Sequence, residues 1–432
     1  MAASRVAVVG GGLAGLSAAL ELKEAGAHVE LFERSRVLGG RATSFEVDGH
    51  VVDNGQHVYL ACCTEFVRFV RRAGMQHALY LQDRFDVVVY RKGVRSRLRA
   101  ANLPAPFHLL TSFAGYKHVP LRGKWEIARA LLSLRLNGRS ARADASFAQW
   151  LRTQRQSAPT IRAFWEPFMV PALNAPLERM NAAEAAFVVS TAFLHDRNAA
   201  RFGYSKVPLA SIMDAAAARL DAVYRARAVF GMNADESGIT LRTAEREMRF
   251  DRAVLAVPPR SLLKLLGDPA RFHVTDLEAY EPFAIMDVHI WYEGGEVDFE
   301  FAAILDSPVQ WVFKKDAGYL CCSISAADEH VSKPEAGMVQ AAWQELCTAL
   351  PHLRDARLVR GAVTRNPEGT YLIAPGARRP SSRTALRNVA IAGAWTQTGW
   401  PDTMESAVRS GIAAARALHE DAEQAQNGGV LN

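Results

Sequence analysis

The residues with the clearest chemistry stand near the start of the chain. They are Gly10-x-Gly12-x-x-Gly15, with Leu13 and Ala14 inside the motif, and Glu33 farther on. Glycines at this spacing allow a tight turn, a close approach of backbone to a pyrophosphate, and close packing of a helix on a strand. The helix that opens there offers unpaired N–H groups and a positive dipole end to phosphate. Glu33, beside Arg34, closes a second apolar run and can accept both hydroxyls of a ribose. Leu38-Gly39-Gly40-Arg41 adds a second glycine loop and a cation for phosphate. Two loops spent on one dinucleotide point to FAD held permanently, not to an exchanging nicotinamide.

Residues able to donate a proton come next. In Asp53-Asn54-Gly55-Gln56-His57, Gly55 and Gln56 adjoin the cofactor loop, and His57 is the first candidate acid because imidazole titrates near neutrality. Its plain alternative is a hydrogen bond to the backbone or the cofactor. Glu166, within Phe164-Trp165-Glu166-Pro167-Phe168, suits an acid if burial raises its pKa; the alternative is pairing with Arg162. Asn174 either binds a hydroxyl or forms a turn, and Trp395 and Trp400 either wall the flavin or fill the core. No His, Cys, Asp or Glu set has metal-ligand spacing, so no metal is expected. The cysteines, Cys62-Cys63, Cys321-Cys322 and Cys347, read as reduced thiols.

Glu33-x(5)-Gly39-Gly40-Arg41 resembles the flavin amine oxidase and phytoene desaturase superfamily. So does the closing segment, Ile391–Thr396, Gly399–Ala407 and Ser410-Gly411. The resemblance implies that Gly393, Ala394, Asp402, Thr403 and Met404 meet the flavin. It also implies that Val229, in a strand Tyr224–Phe230, gives backbone contacts to the adenine half. Ala394 stands where the superfamily often has an acid, and Asp402-x-x-Glu405 reads as a capping pair for the last helix. A closer resemblance is to the hydroxysqualene dehydroxylases (squalene-associated FAD-dependent desaturases). Asp53–His57, Trp165–Phe168, Pro171–Asn174 and Gly399–Gly411 carry it. It implies reduction of hydroxysqualene to squalene by reduced flavin, in bacterial hopanoid and squalene biosynthesis. The alternatives are an oxidative carotenoid-precursor (phytoene-type) desaturase and, less well supported, an amine oxidase. The flavin motifs do not separate the first two. With one dinucleotide fingerprint in the chain, the electron donor to the flavin stays open.

The elements that must position these residues alternate strand and helix, so the fold class is α/β. A Rossmann-like FAD-binding domain is expected from segments 1–60, 205–265 and 385–420. A substrate domain interleaves at 61–204 and 266–384, part helical and part mixed β-sheet, with a fraying tail at 421–432. Residues 66–204 read as mostly helical, and the apolar side chains between Phe66 and Phe193 are ample for the long tunnel that the implied hydrocarbon substrate needs. One helix is expected to end near Leu220 and the last near Leu418.

Over 432 residues, 49% are hydrophobic and 22% charged, which excludes a disordered or fibrous chain. The net charge of +6 is uneven: residues 84–142 carry 13 Lys and Arg against Asp86 and Glu126. Large apolar side chains interleave with these cations, as at a membrane surface or on a solvated helical face. No nucleic-acid motif accompanies them, and no stretch is long enough to span a bilayer. The expected setting is cytoplasmic, with peripheral contact at the inner membrane.

Overall fold

The computed structural model describes residues 3–47, 49–137, 144–373 and 376–428. A parallel five-stranded sheet runs in the order Ala222–Tyr224, His28–Phe32, Arg5–Val9, Arg252–Leu255, Val389–Ile391. Its strands are short apolar runs buried on both faces, as parallel sheets require. The chain leaves Val9 through the glycine turn and enters the helix Leu13–Glu24. The C-terminal helix Met404–Gly428 crosses that helix so closely that a Cβ on Gly411 would stand 2.3 Å from the Ala14 carbonyl oxygen. Segments far apart in sequence therefore form one packed layer on the parallel sheet.

A second, seven-stranded sheet has the order Arg357–Ile373, Tyr280–Glu293, Tyr319–Ser325, Trp311–Asp316, Phe301–Ile304, Asp86–Arg91, Val94–Arg99. One face packs on the helix Glu335–Ala349 through Met286, Val288 and Ile290. The other face meets the helices of residues 107–194, with Val87, Val89, Phe301 and Phe313 against Tyr116, Phe147 and Trp165. A three-stranded meander, Val229–Asp235, Gly238–Thr243 and Glu247–Phe250, covers the outer side of the parallel sheet.

Several expectations change. Within residues 66–204, expected to be mostly helical, Asp86–Arg91 and Val94–Arg99 form a hairpin, turning at Lys92 and Gly93, both with positive φ. Four consecutive β-formers, Val87 to Tyr90, outweigh the basic residues around them. The expected strand Tyr224–Phe230 is two strands, Ala222–Tyr224 and Val229–Asp235, separated by Ala226 at φ 52°. The helix after Tyr204 is Leu209–Ala217, and the last helix runs on to Gly428. Residues 429–432 of the expected tail lie outside the described residues. The apolar side chains assigned to a tunnel largely pack against one another as core.

Candidate active site

A cleft of about 870 Å³ opens between the parallel sheet and the seven-stranded sheet. Gly10, Gly12, Leu13 and Ala14 line one end, with Glu33, Arg34 and Val229 beside them. Gly40, Arg41, Gly393, Ala394, Asp402, Thr403 and Met404 line it as well. Gly55, Gln56 and His57 also line it, as do Pro171, Ala172, Ile285 and Thr370. The two glycine loops touch: the Gly39 N–H donates to the Gly11 carbonyl at 2.8 Å.

The glycines divide by what surrounds them. A Cβ on Gly15 would lie 1.9 Å from the Gly10 carbonyl oxygen, so Gly15 serves the packing of helix on strand and does not line the cleft. A Cβ on Gly12 would meet nothing closer than 3.8 Å. Gly12 has no packing reason to lack a side chain; it opens a cradle beside Gly39 and Gly40 at a helix N-terminus. That is the surface a pyrophosphate fits, and the residues present fit FAD. Glu33 is buried, with one carboxylate oxygen accepting the Gly11 N–H at 2.7 Å and the other the Ser35 N–H at 2.8 Å. Each oxygen keeps a lone pair for a ribose hydroxyl.

Other assignments move. Arg41 does not stand free for phosphate: its guanidinium grips Asp402 at 2.7 and 2.9 Å. Asp402 in turn accepts the Tyr371 N–H, and Glu405 accepts the N–H groups of Glu65 and Phe66. The expected capping pair is thus absent; Glu405 caps a different helix, Thr64–Arg72. Gly393 lacks a side chain because the Trp395 indole occupies that space, 2.1 Å from where a Cβ would be. The Ala394 carbonyl accepts bonds from Arg379 and Ser406, so the missing acid leaves no loose backbone. Trp395 lines the cleft, whereas Trp400 packs under Arg409 outside it. Asn174 is a turn residue at φ 50° whose amide is spent on Phe283, Thr370 and Ala326.

The two candidate acids separate. Glu166 is half-buried with its pKa raised by burial and by Glu178, but it lies outside the cleft lining. His57 lines the cleft. Asn54 donates through Nδ2 to the Arg41 carbonyl and accepts the Thr43 N–H, so its Oδ1 faces His57 Nε2 at 3.2 Å as an acceptor. Nε2 therefore carries the proton. Burial depresses the imidazole pKa, Lys315 and Arg41 add to this, and Asp53 opposes it.

Asp287 and Lys315 escaped the sequence reading. Lys315 donates to the Gln56 side chain at 3.0 Å, and Asp287 accepts the Gln56 N–H at 3.2 Å. The signal was present: Asp287 interrupts an apolar strand on the same face as Ile285.

The sequence profile of the flavin containing amine oxidoreductases matches residues 13–419. The chain is 25% identical to the hydroxysqualene dehydroxylase of Zymomonas mobilis, over 94% of this chain and 97% of that one. It is 28% identical to that of Rhodopseudomonas palustris, over 95% and 97%. A zeta-carotene desaturase of Arabidopsis thaliana is 21% identical, over 97% and 86%. Among solved structures, a putrescine oxidase with putrescine bound superposes with a TM-score of 0.74 at 19% identity, over 98% and 99%.

Proposed function

The chain belongs to the flavin containing amine oxidoreductase family, and we propose that within it this enzyme reduces hydroxysqualene to squalene. The observation that carries this reading is the whole-length likeness to two hydroxysqualene dehydroxylases. The reduced flavin, when bound, supplies hydride. Around it, the turn Gly10–Gly12 and the N–H groups opening the helix Leu13–Glu24 would hold the pyrophosphate, Glu33 a ribose, and Val229 the adenine side. Gly393, Ala394, Thr403 and Met404 would border the other end. Val58, Pro171, Ala172 and Ile285 offer an apolar wall that excludes water from a hydrocarbon carrying one hydroxyl. His57 keeps its Nε2 proton on Asn54 and lines the same cleft.

The substrate is a lipid, and we read the basic segment as the place where the enzyme meets a membrane. On the helix Leu121–Asn137, Leu121, Trp125, Ala128, Leu132 and Leu136 are all exposed, and their spacing puts them on one face. Arg122, Arg129 and Arg135 flank them, which supports docking on anionic lipid at the cytoplasmic side. No helix among the described residues is long and apolar enough to cross a membrane.

The test is an anaerobic single turnover. Photoreduced enzyme is mixed with hydroxysqualene in detergent, and the flavin spectrum and extracted product are followed. Flavin reoxidation with stoichiometric squalene is expected. The likeness to a zeta-carotene desaturase favours a second reading, oxidative desaturation. A flavin that stays reduced with the alcohol, while oxidised enzyme bleaches with a carotenoid precursor, would establish that reading instead.

A further inference from the structure

A hydrocarbon that carries one hydroxyl offers a protein a single polar handle. Asn54, Gln56, Asn174 and Asn366 are the amide residues of the cleft, and their partners separate them. Asn54 spends its amide on Arg41 and Thr43. Asn174 spends its own on Phe283, Thr370 and Ala326. Asn366 has no side-chain hydrogen bond among the described residues to fix its orientation. Gln56 is held from two sides. Its backbone N–H donates to Asp287 Oδ1 at 3.2 Å, and its Oε1 accepts from Lys315 Nζ at 3.0 Å. An ammonium only donates, so the side of the amide turned to Lys315 is the oxygen, and the nitrogen faces away. Nε2 has no hydrogen-bond partner among the described residues and, unlike Asp287 Oδ2, is not sealed from solvent. Gln56 lines the cleft, whereas Asp287 and Lys315 stand behind it.

Lys315 reaches Gln56 through an irregularity in the strand Trp311–Asp316. Lys314 pairs with Leu320 and Asp316 with Tyr319, which leaves Lys315 as the extra residue of a β-bulge. Bulges re-aim a side chain and are frequent beside active sites. Lys314 sends its ammonium to Glu296 and the Val297 carbonyl. Lys315 has no ion-pair partner among the described residues, and its charge meets a neutral amide. A cation on the amide oxygen draws electron density toward it and makes the N–H at Nε2 a stronger donor.

We propose that Gln56 recognises the hydroxyl of the substrate, its Nε2 donating to the hydroxyl oxygen, and that Lys315 is the positioning residue that orients and polarises the amide. This rests on the dehydroxylation reading. Val58, Pro171, Ala172 and Ile285 give apolar contact, which holds an alcohol and a hydrocarbon of the same length alike. A donor fixed in the cleft separates the two, because the hydrocarbon strips it of water and returns no acceptor.

The test compares hydroxysqualene with squalene, which lacks the hydroxyl. Each is titrated in detergent into oxidised holoenzyme, which has no hydride to give, and binding is read from the flavin spectrum. Wild type should bind the alcohol about tenfold tighter or more. Gln56→Leu should bind the two equally, with FAD content and squalene affinity unchanged. Gln56→Glu keeps an acceptor for Lys315 without the donor, and should lose the preference as fully. Lys315→Met should lose part of it, and Lys315→Arg, which can still donate to Oε1, should keep most of it. A residue that merely braced the strand would not follow hydrogen-bonding capacity in this way, and the Lys315 pair decides the matter where a Gln56 variant yields no holoenzyme. A Gln56→Leu or Lys315→Met holoenzyme as selective as wild type sinks the assignment, as does a wild type that binds both ligands alike. A Gln56→Leu protein that loses FAD, while its flavin-loaded fraction still prefers the alcohol, makes Gln56 a cofactor residue and sinks it too. Single turnover reads the dehydroxylation separately: a wild type inert toward hydroxysqualene there sinks that reading, and this assignment with it.

Discussion

Arg41 and Asp402, 361 residues apart, form a two-pronged ion pair at the wall of the cleft, at 2.7 and 2.9 Å. The pair ties the second glycine loop to the segment that opens the last helix, and the Tyr371 N–H donates to the same carboxylate. Asp402 is nearly buried, whereas Arg41 is about a third exposed. Removing the carboxylate leaves a cation without its partner and a backbone N–H unsatisfied. Asp402→Ala should therefore cost about 3 kcal/mol, measured by urea unfolding of the holoenzyme. A double-mutant cycle with Arg41→Ala should recover a coupling of about 1 kcal/mol or more. Additive losses would mean that the two side chains merely sit side by side.

The second and third glycines of the nucleotide motif should fail in different ways. Gly15→Ala forces a methyl onto the Gly10 carbonyl, with no room at 1.9 Å, and should abolish soluble folded protein. Gly12→Ala meets nothing within 3.8 Å and should leave the apoprotein folded. Its methyl enters the cradle, so flavin affinity should drop at least tenfold, read by equilibrium titration of apoprotein with FAD. A Gly12→Ala protein that binds FAD like wild type would move the pyrophosphate elsewhere.

How much was legible follows from distance along the chain. The glycine turn, Glu33 and the strand–helix–strand order are local, and each is specified by backbone demands within a few residues. Placing Gly393 to Met404 in the same cleft required the resemblance, because no local rule brings residue 400 to residue 40. The pairing of Arg41 with Asp402 was hidden for the same reason: each had a sufficient local use, phosphate for one and a helix cap for the other. Asp287 was missed because a strand shows burial by alternation, and alternation does not say what faces the polar interruption. The hairpin at Asp86–Arg99 was not separated from the mostly helical stretch around it, although the β-branched run Val87 to Val89 decides its conformation.

The carboxyl of Asp287 should also leave a mark on stability. Its pKa in the folded protein is about 6 against the ordinary 3.8. The folded state thus holds the proton more tightly than the unfolded chain. The associated stability is fully present below about pH 4 and is lost as pH rises through 6, a total of about 3 kcal/mol. Glu166 and Glu405 are shifted in the same direction, so the difference between wild type and Asp287→Asn isolates the one group. In urea unfolding across pH 4.5 to 7.5, wild type should lose stability relative to the variant as pH rises. Parallel curves would place the Asp287 pKa at its ordinary value.

The exposed stripe of the helix Leu121–Asn137 has a measurable consequence of its own. Leu121 is 73%, Trp125 71% and Leu136 73% exposed, so polar substitutions there remove no core contact and should leave stability within about 0.5 kcal/mol. In a bilayer interface the same positions would be buried, with the flanking cations each gaining about 1 kcal/mol from an anionic surface. Wild-type protein should co-sediment with phosphatidylglycerol-containing vesicles, less with pure phosphatidylcholine, and less again at high salt. Trp125→Glu with Leu132→Glu should weaken vesicle binding at least tenfold without changing the unfolding midpoint. Single turnover on hydroxysqualene dissolved in detergent should be unaffected, because the stripe would deliver the enzyme to its substrate and take no part in the cleft. If the double variant instead abolishes a dimer seen by sedimentation velocity, with vesicle binding absent from the start, the stripe is a contact between two copies of the chain and the membrane reading fails.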